Sequence, residues 1–116
     1  MTNWTGGRAA VEALKAEKTE FVFGLIGSAT MEIFDALYHT KDINFIGVHD
    51  ERTGTHMADG YARASGKTGV VLAGQNGPGT TNLVTGLAQD KAAYTPILSI
   101  AGALASSHVY RDAFQE

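Results

Sequence analysis

Apolar residues along this 116-residue chain recur in two alternating rhythms, and the alternation predicts the fold. Ala10, Val11 and Leu14 fall on one side of a helix over 7–17. Residues 21–25, Phe-Val-Phe-Gly-Leu, then make an apolar run of strand length. Gly27 and Ser28 supply a turn and an N-cap for a second helix, with Met31, Phe34, Leu37 and Tyr38 as its buried stripe. A second strand over 44–48 leads into a third helix carrying Met57, Ala58, Tyr61 and Ala62. Ser65-Gly66-Lys67 turns the chain into a third strand over 68–73, followed by a glycine-rich loop over 74–79. Thr80 or Thr81 is the expected cap of a fourth helix through Leu83, Val84, Leu87 and Ala88, and Pro96 marks the entry to a fourth strand over 97–101. Strands alternating with helices predict a three-layer α/β/α arrangement around a parallel sheet. After Gly102 the rhythm stops, and Ser106, Ser107 and His108 are assigned to a loop.

Length and composition narrow the picture. A chain of 116 residues makes at most one domain, with a core of modest size. The net charge is −3 with both signs interspersed, so no basic stripe points to nucleic acid or an anionic membrane. The absence of cysteine excludes disulfides and thiolate chemistry. Residues 1–5 carry no secretory signal and no apolar run reaches membrane-spanning length, so a soluble cytoplasmic protein is the default expectation. The chain has 14 glycines, and most of them cluster where apolar runs end, the places where an α/β backbone turns tightly or approaches a ligand.

Candidate chemistry centres on Glu51, straight after the second strand and at the mouth of the third helix. An acid there has a plain structural explanation, because helix amino ends favour negative charge. It also lies where open α/β sheets bind ligands, at the carboxyl end of a strand. Three other features carry no such signal. Ser65-Gly66-Lys67-Thr68 contains a Gly-Lys-Thr triplet, but Tyr61 stands where a phosphate loop needs its first glycine, and the triplet precedes a strand. His49, Asp50, Glu51 and His56 fit no usual metal-ligand spacing. Arg8 and Arg63 are expected to be solvated or ion-paired, and Met57 and Tyr61 to pack in the core.

Four stretches, in order, resemble the N-terminal pyrimidine-binding (PYR) domain of thiamine diphosphate (ThDP) enzymes of the acetolactate synthase and pyruvate oxidase type. They are Phe21-Val22-Phe23-Gly24-Leu25-Ile26-Gly27-Ser28-Ala29, the run from Glu51 to Arg63, Gln75-Asn76-Gly77-Pro78-Gly79-Thr80-Thr81-Asn82, and Asp112-Ala113-Phe114-Gln115-Glu116. The resemblance covers nearly the full chain. It implies that Glu51 is catalytic, hydrogen-bonding the pyrimidine nitrogen of ThDP and relaying the proton that activates the cofactor for attack on a 2-oxo acid. It implies cofactor contacts from Gly27, Ser28, Gly77, Pro78, Gly79 and Asn82, and substrate-side roles for Gln75, Asn76 and Gln115.

By the same resemblance the diphosphate and Mg²⁺ belong to a separate C-terminal domain, with no metal ligand in this chain and FAD left open for the full-length protein. The site would be shared between subunits of a homodimer or homotetramer. The family's domain has six strands, so residues 1–116 are expected to form a single partial domain, incomplete at its C-terminus, with the loop over 112–116 dangling. Two departures stand out. Asp50 occupies the place where relatives usually carry histidine, and it either shifts the titration of Glu51 or points into solvent. Ile26 stands where most relatives have proline, and Ile26-Gly27-Ser28-Ala29 with Gln75-Asn76-Gly77-Pro78-Gly79 looks more like the sulfoacetaldehyde acetyltransferase branch, whereas Asp112-Ala113-Phe114-Gln115-Glu116 looks more like acetolactate synthase. A split-subunit or non-catalytic module, paired with a separate diphosphate-binding chain, is the third reading.

Overall fold

A computed structural model describes residues 4–115. The order of elements is α1 (Gly6–Ala16), β1 (Phe21–Gly24), α2 (Met31–Tyr38), β2 (Asn44–Gly47), α3 (Glu51–Ser65), β3 (Gly69–Leu72), α4 (Gly77–Ala92) and β4 (Ile97–Ile100). The four strands are parallel in the order β2-β1-β3-β4, with Phe23 beside Ile46 on one side and Val71 on the other. This is the parallel α/β architecture that the alternating pattern predicts.

Strand periodicity sorts the core into two layers. Val22, Val70 and Leu72 point to one face, where they meet Val11 and Leu14 of α1 and Phe34 and Leu37 of α2. Phe23, Val71 and Ala73 point to the other and meet Ala58 of α3 and Leu83 of α4. On this second face the helices approach closely. A Cβ on Gly86 of α4 would fall 2.5 Å from Thr55 of α3.

Helix ends follow capping chemistry. The Thr5 hydroxyl accepts from Arg8 N at 3.2 Å, and the Asp50 carboxylate accepts from Arg52 N at 2.8 Å, each satisfying a free first-turn amide. Gly66 closes α3 with a left-handed φ of 72°.

Several local expectations are corrected. Helix α4 begins at Gly77, so Gly77-Pro78-Gly79 is its first turn and not a loop, and Asn76 occupies the cap position without a side-chain cap bond. Thr80 and Thr81 lie inside the helix, with the Thr81 hydroxyl donating to Pro78 O at 3.0 Å. Proline is tolerated there because a first-turn amide has no intrahelical acceptor to lose. Ser28 does not cap α2; it starts a short 3₁₀ turn, Ser28–Thr30, and Thr30 precedes the helix. Met31 and Tyr38 are exposed, since this eight-residue helix, packed against α1 and the sheet, buries only Phe34 and Leu37. Met57 and Val84 also face outward. Beyond β4 the chain folds back, and Gln115 O accepts from Gly77 N at 2.9 Å, so the loop expected to dangle is tied to α4. Glu116, the last residue of that motif, lies outside the described residues. Among the described residues no helix is long and apolar enough to cross a membrane.

Candidate active site

Strand order fixes where a crevice opens. From β1 the chain crosses to β2 on one side, and from β3 it crosses to β4 on the other, so the carboxyl ends of β1 and β3 form a topological switch point. The loops leaving these strands are stitched together. Gln75 Oε1 accepts from the Ser28 hydroxyl at 2.7 Å and from Ala29 N at 3.4 Å, and the Thr30 hydroxyl lies 3.2 Å from Ala73 O and 3.1 Å from Gly74 O.

Glu51 projects into this junction as the first residue of α3 and is only 3% exposed. Its Oε1 accepts from Gly74 N at 3.2 Å and its Oε2 from Asn82 Nδ2 at 3.1 Å. One carboxyl therefore ties three segments together: α3, the β3–α4 turn and the second turn of α4. The amino ends of α3 and α4 both surround it with partial positive charge. Gly79 completes the pocket wall; a Cβ there would stand 2.8 Å from Glu51 Oε1, so only glycine leaves the carboxyl its place. Behind it, the Thr55 hydroxyl donates to Glu51 O at 2.9 Å.

The structure thus brings Glu51, Gly79 and Asn82 together, with Gly77 and exposed Pro78 on the same turn. Gly27, Ser28 and Gln75 form an adjoining group on the β1 side. Asn76 sits between the two, 7% exposed, with its Nδ2 lacking any partner. Gln115 reaches this end of the sheet through its carbonyl. Two hollows open here: one of about 390 Å³ bordered by Ser28, Gln75, Asn76 and His108, and an apolar one of about 350 Å³ beside Thr80, Thr81 and Leu104. A larger hollow of about 700 Å³ lies at the opposite, amino end of the strands, beside Glu20 and Lys67, away from this chemistry.

Asp50 turns away from Glu51. It binds Arg52 through both oxygens, with the shortest contact 2.6 Å to Nη2, and the guanidinium with the Arg52 amide holds its carboxyl down at about 2. The Gly-Lys-Thr triplet is at the wrong end of the sheet, where Lys67 pairs with Glu20. Arg63 pairs with Asp59 at 2.8 Å, and Arg8 lies over the Trp4 ring. Among the described residues no group of three or more His, Cys, Asp or Glu side chains could hold a metal ion. Sequence reasoning missed Thr55, Asp59 and Asp90, all buried. The available signal was that polar residues fall on the inner side of α3 and α4, at the same spacing as Ala58 and Leu83.

A buried acid on a helix amino end at the switch point of a parallel sheet, walled by a glycine turn, defines a ligand-binding α/β domain. The chain belongs to a family described as thiamine pyrophosphate enzyme, N-terminal TPP binding domain, which it matches over residues 4–116. It is 45% identical over 111 residues to a probable acetolactate synthase large subunit of Methanococcus aeolicus, covering 96% of this chain and 18% of that protein. It is 40% identical over 116 residues to the acetolactate synthase large subunit of Haemophilus influenzae, covering 100% of this chain and 20% of that one. The mitochondrial acetolactate synthase catalytic subunit of Saccharomyces cerevisiae is 41% identical over 112 residues, covering 97% of this chain and 16% of its own length. The chain thus spans about a fifth of the length of the relatives it matches. These relatives do not favour the sulfoacetaldehyde acetyltransferase or split-subunit readings.

Proposed function

We propose that this chain forms the pyrimidine side of the active site of a ThDP-dependent acetolactate synthase, which decarboxylates pyruvate and joins the two-carbon unit to a second 2-oxo acid. The observation that carries the reading is the Glu51 carboxyl, buried at the switch point and oriented by Gly74 N and Asn82. When bound, ThDP supplies the nucleophilic carbon that attacks a 2-oxo acid.

The residues present fit that group. Glu51 is held with one oxygen on a backbone amide and one on an amide side chain, so its orientation is fixed before any ligand arrives. Beside the Gly77-Pro78-Gly79 turn, where Gly79 has no Cβ to obstruct a flat ring, the Glu51 carboxyl would hold the cofactor's pyrimidine and would exchange a proton with its ring nitrogen. Ser28 and Gly27 shape the neighbouring loop, which in a homodimer or homotetramer would face a second copy's cofactor. On the substrate side, the Gln75 carbonyl is occupied by Ser28 and Ala29, which leaves its Nε2 as a donor. The unpartnered Asn76 Nδ2 is a second donor for a 2-oxo acid oxygen, and Gln115 borders the same end. Diphosphate and Mg²⁺ would be held by another domain.

The test uses the full-length protein. With ThDP and Mg²⁺ it is expected to convert pyruvate to acetolactate, and Glu51→Gln is expected to lower kcat by about a hundredfold or more with the melting temperature retained. Undiminished turnover in the variant would remove Glu51 from the mechanism, and no acetolactate from the wild type would remove the assigned activity.

A further inference from the structure

Helices α3 and α4 hold a second group of titratable side chains, two turns beyond Glu51 and outside the site. Asp90 of α4 is 2% exposed, and neither of its carboxyl oxygens has a hydrogen-bond partner. Asp59 of α3, 6% exposed, is its opposite in every respect but burial. Asp59 Oδ1 accepts from Arg63 Nε at 2.8 Å, Oδ2 accepts from Gln89 Nε2 at 3.3 Å, and the Thr95 side chain adds a further donor. The Asp90 carboxyl faces that of Asp59 across the helix pair, and the remaining charged groups around it are His56 and Arg63, both on α3. The strand packed against this end of α4 is Ile97–Ile100, which carries no charge.

Two ionised carboxylates offer only acceptors, so they cannot hydrogen-bond to each other. Arg63 already neutralises Asp59. A second buried charge on Asp90 would have neither counterion nor donor, a costly state that a proton removes. The surroundings decide which carboxyl takes it. Donors crowd Asp59 and favour its ionised form, whereas Asp90 has no donor, and its burial and the neighbouring Asp59 charge outweigh His56 and Arg63 in favouring the acid.

We propose that Asp90 is a protonated carboxylic acid that donates its hydrogen to Asp59, and that this single proton clasps α3 to α4. The clasp holds whatever ligand the site takes, because it rests on the helix pair and not on the assigned reaction. Its place makes it a positioning device: α3 presents Glu51, α4 presents Gly79 and Asn82, and the clasp fixes the two helices eight residues further along each. Burial, followed by the Asp59 charge, pushes the Asp90 carboxyl above the usual aspartate range, with His56 and Arg63 opposing. Arg63 and then Thr95 hold Asp59 below that range. A pKa raised by folding means that the clasp's contribution is complete below the ordinary aspartate value of about 3.9 and fades as pH rises through the folded value.

Hydrogen–deuterium exchange of the α3 and α4 peptides in the full-length protein, from about pH 5 to about pH 8 and corrected for intrinsic exchange, reads the clasp directly. Wild type is expected to open more often as pH rises. Asp90→Asn keeps an N–H for Asp59 without titrating, and should flatten that rise. Asp90→Ala should open about tenfold more often at the low-pH end, where the lost hydrogen bond counts most. An infrared difference spectrum of wild type against Asp90→Asn, followed from about pH 4 upward, should also show a protonated carboxyl band that is present at the low end and fades as pH rises. This measurement decides the matter even if the alanine variant does not fold. The absence of that band, or identical pH dependence of opening in wild type and Asp90→Asn, would overturn the proposal.

Discussion

The two faces of the sheet are built on different principles. The face under α1 and α2 is closed by large apolar side chains, Val11, Leu14, Phe34 and Leu37 against Val22, Val70 and Leu72. The face under α3 and α4 is closed by Leu83 and otherwise mainly by small residues, and its buried set includes Glu51, Thr55, Asp59 and Asp90. Apolar burial is non-directional, so the first face can stabilise the fold while tolerating small shifts. Buried polar groups require partners at defined angles, so the second face sets positions at the expense of stability. One side of the sheet supplies the free energy and the other spends part of it on geometry.

That contrast can be tested at single positions. The largest loss of stability is expected from Leu37→Ala, at a 5% exposed site, costing about 2–5 kcal/mol through lost transfer energy and the cavity left behind. Denaturant melts should show it, and ThDP affinity per folded molecule should not change. Gly79→Ala should cost less, about 1–3 kcal/mol, because its Cβ lands on a side-chain oxygen that can move. Its effect on ThDP affinity, measured by titration calorimetry, should nevertheless exceed that of Leu37→Ala. If both variants changed stability and binding in proportion, the division of labour would be wrong. The smallest effect is expected at Asp50. Its carboxyl is held at about 2 by Arg52, so its contribution is present above the ordinary aspartate range and is lost as pH falls toward 2. Asp50→Asn, which keeps the cap acceptor but not the charge, should lower neutral-pH stability slightly, leave stability near pH 2 unchanged and so flatten that acid limb in pH-dependent melts.

The apolar side was the more legible in sequence, because periodicity reports burial directly. Val11, Leu14, Phe34 and Leu37 sit where the helical spacing placed them. Met31 and Tyr38 share that spacing but lie at the ends of a two-turn helix, where the packing partner runs out. On the polar side Glu51 stood out because it directly follows a strand, and the structure adds its partners Gly74 N and Asn82. The start of α4 was misplaced because glycine and proline signal a turn and a helix amino end alike. Asp90 was invisible for another reason. An acid between Gln89 and Lys91 near the end of a helix looks solvated, and only the approach of α3 shows that it is sealed.

Gly86 has a bearing on how this sequence can drift. Its missing Cβ makes room for Thr55, whose hydroxyl in turn anchors the carbonyl of Glu51. No residue larger than glycine fits at 86 while threonine remains at 55. A change at 55 that frees the space also releases the backbone of the residue that faces the crevice. Position 86 is therefore open to a larger residue only once position 55 has changed, in an order that passes through a weakened intermediate.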